Sequence, residues 1–99
     1  MNAETKNALK QEVARCLGQF AEVRRIVVFG SFLHGESPND MDVAVFQDSD
    51  EAYLPLALKY RRMTKSVSAT IPLDIIPLRP GASGSFMEEI ARGEVVYER

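Results

Sequence analysis

The chain is poor in the features that mark secreted and membrane-embedded proteins. It has one cysteine and no tryptophan among its 99 residues. A single cysteine, Cys16, excludes an internal disulfide and fits a reducing compartment, so we expect a cytoplasmic protein. No apolar run approaches the roughly 20 residues of a membrane span. The first residues also lack the apolar core of a signal peptide.

A surplus of positive charge is missing as well. Twelve Lys and Arg face 14 Asp and Glu, which gives a net charge of −2. General affinity for nucleic acid needs a basic surplus, so we expect neither nucleic acid nor membrane as a partner. With 45% apolar and 26% charged residues, the composition is that of an ordinary soluble globular protein. Its length predicts one domain, spanning residues 1–99.

The hydrophobic pattern predicts helices interspersed with short strands. Apolar residues three and four apart indicate helices, whereas short runs of β-branched and aromatic residues indicate strands. The predicted helices are Ala3–Ala21, about Glu51–Ser66 and Phe86–Arg92, and the predicted strands are Arg25–Phe29, Asp40–Phe46, Leu73–Pro77 and a short closing Val95–Tyr97. Prolines at both borders of the third strand favour an edge position or short pairing. This order predicts an α/β fold (α+β in finer terms), with a small mixed sheet flanked by helices.

Two aspartates open the second predicted strand, shortly after a Gly-Ser turn that ends the first. Because alternate residues of a strand share a face, Asp40 and Asp42 point the same way, about 7 Å apart along the chain. Such like charges repel unless a cation lies between them. Mg²⁺ is usually held by one or two carboxylates plus substrate phosphates. Gly30 lets the backbone approach a ligand closely, and the N–H groups that follow, with Ser31, suit a phosphate.

A third carboxylate, Asp74, is the one charge in the apolar run Ile71–Leu78. A carboxylate in a buried strand is costly unless it is paired or bound to a metal. Three acids on neighbouring strands beside a Gly-Ser turn predict a metal-dependent phosphoryl-transfer site.

Each of these features also has a purely structural interpretation. The aspartate pair can belong to a hairpin turn, and the Gly-Ser turn can be a tight turn with a helix cap. Asp74 can pair with a basic residue such as Arg24 or Arg79. The metal site is favoured because the turn and the acids occur together.

Other polar and aromatic residues carry weaker signals. His34, the sole histidine, is expected to be a solvated loop residue, with contact to the nucleotide as the alternative, and one histidine without partners gives no zinc site. Tyr53, Tyr60 and Met63 are expected in the core. A basic stretch on the middle helix predicts a solvated face, with an acidic partner surface or the nucleotide triphosphate as the alternative; it comprises Lys59, Arg61, Arg62 and Lys65.

The combined motif resembles the nucleotidyltransferase superfamily that includes DNA polymerase beta, and within it the minimal single-domain MNT proteins. That family's pattern is a Gly-Ser turn, an Asp-x-Asp pair opening a strand, and a third Asp on a later strand. Here the matching residues are Gly30-Ser31, Asp40-Met41-Asp42 and Asp74. The resemblance implies the nucleotidyltransferase fold.

The resemblance also implies a reaction, in which AMP moves from ATP to an acceptor hydroxyl. Asp40, Asp42 and Asp74 would be the catalytic and metal-binding residues, holding Mg²⁺ (two ions, with Mn²⁺ as a substitute). Asp74 would in addition favour deprotonation of the acceptor. Gly30 and Ser31 would hold the β- and γ-phosphates of ATP.

Single-domain relatives are typically antitoxins encoded beside a HEPN-type ribonuclease, and some adenylylate that toxin on tyrosine. The resemblance therefore implies a HEPN-type toxin protein as both substrate and partner, in a homo- or hetero-oligomer. Two alternatives stay open. One is a non-catalytic antitoxin that neutralises a toxin by complex formation, and the other is an oligomeric small-molecule nucleotidyltransferase.

Overall fold

The computed structural model describes all residues from 1 to 99 and contains four strands and five helices. Their order along the chain is α1 (Ala3–Gly18), β1 (Val23–Phe29), α2 (Ser31–His34), β2 (Met41–Gln47), α3 (Tyr53–Met63), α4 (Lys65–Ser68), β3 (Leu73–Leu78), α5 (Phe86–Ala91) and β4 (Glu94–Glu98). No helix among the five combines the length and the apolar character that crossing a membrane requires.

The four strands form one mixed sheet in the order β3-β2-β1-β4. β1 pairs antiparallel with both β2 and β4, whereas β2 and β3 run parallel. The parallel pair needs a crossover connection, and α3 with α4 supplies it. The predicted mixed sheet flanked by helices is therefore confirmed, and β3 lies at an edge, as its bordering prolines predict.

Alternating side chains send the strands' apolar residues to both faces of the sheet. One face forms a cluster of 15 buried residues with α1, α3 and α4, in which Ile26, Val28 and Val43 take part. The other face carries a smaller cluster of five, in which α5 packs through Ile90 against Phe29 and its neighbours. Burial on both faces explains why β1 and β2 read as nearly continuous apolar runs.

The middle helix is shorter than its apolar pattern predicts. The predicted span Glu51–Ser66 contains α3 and only the start of α4. Thr64 separates them with φ −113° and ψ 23°. Its buried Oγ1 donates hydrogen bonds to the carbonyls of Tyr60 at 2.8 Å and Arg61 at 3.3 Å. This local bonding competes with the helical ladder and ends α3.

Candidate active site

The three predicted aspartates meet at one end of the sheet. Asp40 directly precedes β2, Asp42 is the second residue of β2, and Asp74 is the second residue of β3. The parallel register places Asp42 beside Asp74. One carboxylate oxygen from each of the three lies within 4.8 Å of the others. All three thus face one small volume.

The Gly-Ser turn lies directly against this cluster. Gly30 directly follows β1 and has φ 80° and ψ −158°, a backbone region that is essentially open to glycine alone. A Cβ at this position would lie only 2.7 Å from Oδ2 of Asp42. Glycine is therefore required both for the backbone bend and for the close approach of the carboxylate.

Asp42 is the most perturbed carboxyl of the cluster. Burial raises its pKa, and the negative charges of Asp40, Asp74 and Glu89 raise it further, to about 6. No basic side chain forms an ion pair with any of the three aspartates. A cluster of like charges without a protein cation is the arrangement that a bound metal ion stabilises.

The expected burial of Asp74 is wrong. Its side chain is exposed, because β3 is an edge strand and the residue lies near its start. The alternative ion pairs also do not form. Arg24 pairs with Asp48 at 2.7 Å, and Arg79 donates to backbone carbonyls, including that of Glu51 at 3.2 Å. Asp74 is thus both unpaired and open to an incoming molecule.

The donor set fits a hard cation. Three carboxylates and no histidine or cysteine make up the cluster. Oxygen ligands of this kind suit Mg²⁺ or Mn²⁺, whereas zinc sites rely on nitrogen and sulfur ligands. Asp40, Asp42 and Asp74 are the residues that could hold such an ion.

A cleft of about 290 Å³ opens beside the carboxylates and is lined in part by Asp42 and Asp74. α3 contributes Tyr53 and Arg61, while α5 contributes Phe86 and Glu89. Its size and its mix of aromatic and charged walls suit a small polar molecule with a planar ring.

Tyr53 was expected in the core, and this expectation is wrong. As the first residue of α3 it is 56% exposed and lines the cleft. Met63, also expected in the core, is 41% exposed at the other end of the helix. Tyr60 is fully buried, as expected. The apolar spacing predicts the helix's inward face but does not show that its terminal residues extend beyond the sheet.

A second cavity of about 220 Å³ lies on the other side of Glu89 and is lined by Gly30 and Ser31. Ser31 is exposed, so its hydroxyl is accessible. His34 and Arg92 complete the polar wall. His34 is exposed, as predicted, but it is the last residue of α2 and not part of a loop.

Sequence reasoning missed Glu89 and Arg92, which α5 and its C-terminal end bring to the site. Glu89 lines both cavities, and its charge contributes to the raised pKa of Asp42. Glu89 faces the aspartates because its neighbour Ile90 packs against the sheet. The only indication in the sequence was that Glu89 and Arg92, three residues apart, lie on the helix face next to Ile90.

Comparison with known proteins identifies relatives of this chain. Residues 11–99 match the family described as "Polymerase beta, Nucleotidyltransferase". A curated relative, protein adenylyltransferase MntA of Thermococcus cleftensis (strain DSM 27260 / KACC 17922 / CL1), is 32% identical over 75 residues. The matched region covers 76% of this chain and 74% of the relative.

Solved structures show the same fold. A chain in the structure of a tri-AMPylated Shewanella oneidensis HEPN toxin in complex with MNT antitoxin has a TM-score of 0.68 at 17% identity, covering 95% of this chain and 73% of that chain. A chain in the crystal structure of a toxin-antitoxin with AMP-PNP has a TM-score of 0.64 at 20% identity, covering 99% and 75%. The resemblance predicted from the Gly-Ser turn and the three aspartates is confirmed. The chain belongs to the polymerase beta nucleotidyltransferase family.

Proposed function

We propose that this protein transfers AMP from ATP to a tyrosine hydroxyl of a HEPN-type toxin and thereby acts as its antitoxin. The observation that carries the proposal is the convergence of three unpaired carboxylates within 4.8 Å, against a turn that only glycine can form. Kinship with a protein adenylyltransferase supports AMP as the transferred group. The fold shared with an MNT antitoxin in complex with a HEPN toxin supports the partner.

Each aspartate has a role that follows from its position. Asp42, half-buried between the other two, and Asp40 would ligate Mg²⁺, with two ions in the complete site. When bound, Mg²⁺ supplies positive charge that offsets the negative charge developing on the phosphates. Asp74 is the exposed member, so it is accessible to the acceptor as well as to a metal.

In the reaction, the acceptor oxygen attacks the α-phosphorus of ATP, the bond from that phosphorus to the bridging oxygen breaks, and pyrophosphate leaves. Asp74 would take the hydroxyl proton, because it is the carboxylate that the acceptor can approach from solvent. The cavity at Gly30 and Ser31 would hold the β- and γ-phosphates, with Arg92 as a nearby cation.

The test is transfer of label from ATP to a HEPN-type toxin co-expressed with this chain. ATP labelled at the α-phosphate should label that protein, whereas ATP labelled at the γ-phosphate should not. Asp40→Asn and a tyrosine-to-phenylalanine variant of the acceptor serve as inactive controls. A complex that forms without any transfer of α-label would contradict catalysis and indicate a binding-only antitoxin. Label that appears only in a small molecule would indicate the other alternative acceptor class.

A further inference from the structure

Helix α3 carries apolar residues on its outer side as well as its inner side. Leu56, Ala57 and Tyr60 face inward and are buried. On the outer side Leu54 is 64% exposed and Leu58 is 48% exposed. These two leucines lie four residues apart and therefore form one stripe along the helix. Packing within this chain does not account for them.

α3 and the start of α4 carry a concentration of unpaired positive charge. Residues 52–73 include four basic residues and no acidic one; because the whole chain has a net charge of −2 and this segment contributes +4, the remaining residues carry −6. Lys59 is neutralised by Glu22 at 2.9 Å and Glu51 at 3.0 Å. The other three form no ion pair and are exposed: Arg61, Arg62 and Lys65.

The leucine stripe and the cations are continuous with the active-site cleft. Arg61 lies three residues from Leu58 and lines the cleft together with Asp42 and Asp74. Tyr53, at the start of α3, lines it as well. A tyrosine side chain is short compared with a protein domain, so the surface that presents an acceptor tyrosine must rest against the cleft's rim. The exposed side of α3 is one wall of that rim.

We propose that the α3 docking face, formed by Leu54, Leu58, Arg61, Arg62 and Lys65, binds the acceptor-bearing protein. The complementary surface is apolar at its centre and bordered by carboxylates, which match the two leucines and the three cations. This inference rests on the proposed transfer to a protein tyrosine, since it names the surface that brings that tyrosine to the cleft.

Charge selects this occupant over a second copy of the chain. A symmetric pair of these faces would bring six unpaired cations together and leave them without carboxylate partners, which costs free energy. An acidic protein surface removes that cost and also covers the leucines. Nucleic acid would satisfy the cations but leave the exposed leucines without apolar contacts.

The experiment measures the affinity of this protein for a purified HEPN-type toxin, by calorimetry without ATP. Leu58→Glu should weaken binding about tenfold or more, because it places a charge at the apolar centre of the interface. Val95→Glu is the matched control, since Val95 is also 48% exposed but lies on β4, at the opposite edge of the sheet from β3. It should change the affinity by less than about twofold.

A second pair of variants tests the charge. Arg62→Glu should weaken binding about tenfold and flatten its dependence on salt, whereas Arg62→Lys should retain most of the affinity. All four variants should bind Mg²⁺ and ATP as the wild type does and should melt at similar temperatures, because Leu58 and Arg62 are exposed.

Several outcomes would overturn the docking face. Leu58→Glu that binds as tightly as Val95→Glu would do so, and so would a wild type that does not bind the HEPN-type protein. A chain that dimerises alone by native mass measurement, and becomes monomeric on Leu58→Glu, would reassign the face to self-association. RNA binding lost in Arg62→Glu, with partner affinity intact, would reassign it to nucleic acid.

The docking face and the enzymatic proposal fail in different ways. Binding that is sensitive to Leu58→Glu, in a wild type that transfers no α-label, supports the face and contradicts the enzyme. Equal transfer by wild type and Leu58→Glu at limiting partner concentration supports the enzyme and contradicts the face.

Discussion

Two partly buried carboxylates, Asp42 and Glu22, show opposite behaviour within the same small domain. Burial by itself would raise the pKa of Glu22, but hydrogen bonds from Lys59 Nζ and Tyr60 Oη, both at 2.9 Å, outweigh burial and lower it. Burial also raises the pKa of Asp42, and there its neighbours are acids that raise it to about 6. The charged Glu22 carboxylate stabilises the fold, whereas the charged Asp42 carboxylate destabilises it.

Glu22 is a carboxylate with a structural role, whereas Asp42 has no such role in the fold. Glu22 ties the loop before β1 to α3, since both of its hydrogen-bond donors lie on that helix. Asp42 forms no ion pair, and its carboxylate lies so close to Gly30 that a Cβ there would be 2.7 Å from Oδ2. A carboxylate with a raised pKa and no protein partner is a candidate ligand-binding group.

Asp42→Asn should abolish AMP transfer and leave the metal-free fold as stable as wild type or more so. The amide removes one of the repelling charges, but it is a poor ligand for the ion that offsets phosphate charge. Transfer of α-labelled AMP should fall by about a hundredfold or more. The second measurement is the melting temperature in EDTA. A variant that is clearly less stable and fully active would make Asp42 a structural residue like Glu22.

Gly30→Ala tests whether the turn holds the Asp42 carboxylate in place. The new Cβ would lie 2.7 Å from Oδ2 of Asp42, in a backbone conformation with φ +80°. We expect a loss of about 3 kcal/mol in the free energy of unfolding, together with a large loss of transfer. Denaturant titration and the label assay measure the two effects.

Gly81→Ala is the matched control for this change. Gly81 has φ +81°, but a Cβ there would have nothing within 4 Å. It should cost about 1 kcal/mol from backbone strain and leave transfer unchanged. Equal losses of activity in the two variants would show that Asp42 does not depend on the turn.

The sequence predicted the aspartates at the end of the sheet better than it predicted the hydrogen-bonded network around Glu22. Asp-x-Asp places two carboxylates on one strand face wherever the strand forms, so Asp40 and Asp42 could be located from the two-residue repeat alone. The assignment of Asp74 to the same end depended mainly on the family pattern, because its register with β2 depends on the crossover through α3 and α4.

The rest depends on packing between distant parts of the chain. Glu22 and Lys59 are 37 residues apart, and no local pattern predicts that they meet. Glu89 reaches Asp42 only because α5 packs on the sheet face that carries the aspartates. Tyr53 fits an apolar helical stripe, yet its position at the end of α3 places it in the cleft. Helical spacing predicts which side of a helix faces the core, but it does not predict where the neighbouring strand ends.

Glu22→Ala should lower the free energy of unfolding by about 2 kcal/mol, or roughly 10 °C in Tm, without affecting the metal site. The variant leaves the buried Tyr60 hydroxyl and Lys59 without their shared acceptor. Glu51→Ala is the control, because Glu51 also pairs with Lys59 but is about half exposed, and its loss should cost about 0.5 kcal/mol or less. Thermal melts of both variants test whether burial makes the hydrogen bonds of Glu22 more stabilising than the exposed ion pair of Glu51 with Lys59. Equal losses of stability in the two variants would contradict this.

The smallest effect is a difference in pH dependence, measured in EDTA. The pKa of Asp42 rises from 3.8 in the unfolded chain to about 6 in the folded one. Between these values the folded state binds more protons, so Asp42 lowers the free energy of unfolding as pH rises. Asparagine does not titrate, so the stability advantage of Asp42→Asn should be negligible near pH 4 and should grow until about pH 7.

Glu22→Gln should show the opposite sign, because the folded-state pKa of Glu22 is lowered. Its carboxylate contributes stability above its unfolded pKa, and that contribution is lost as the pH falls. The deficit of Glu22→Gln relative to wild type should therefore be largest at neutral pH and should shrink in acid. Melting temperatures of wild type and both variants, at several values between pH 4 and pH 7.5, measure the two trends together. If the two differences ran in the same direction with pH, Asp42 would have a stabilising partner, and the distinction between a structural and a functional carboxylate would fail.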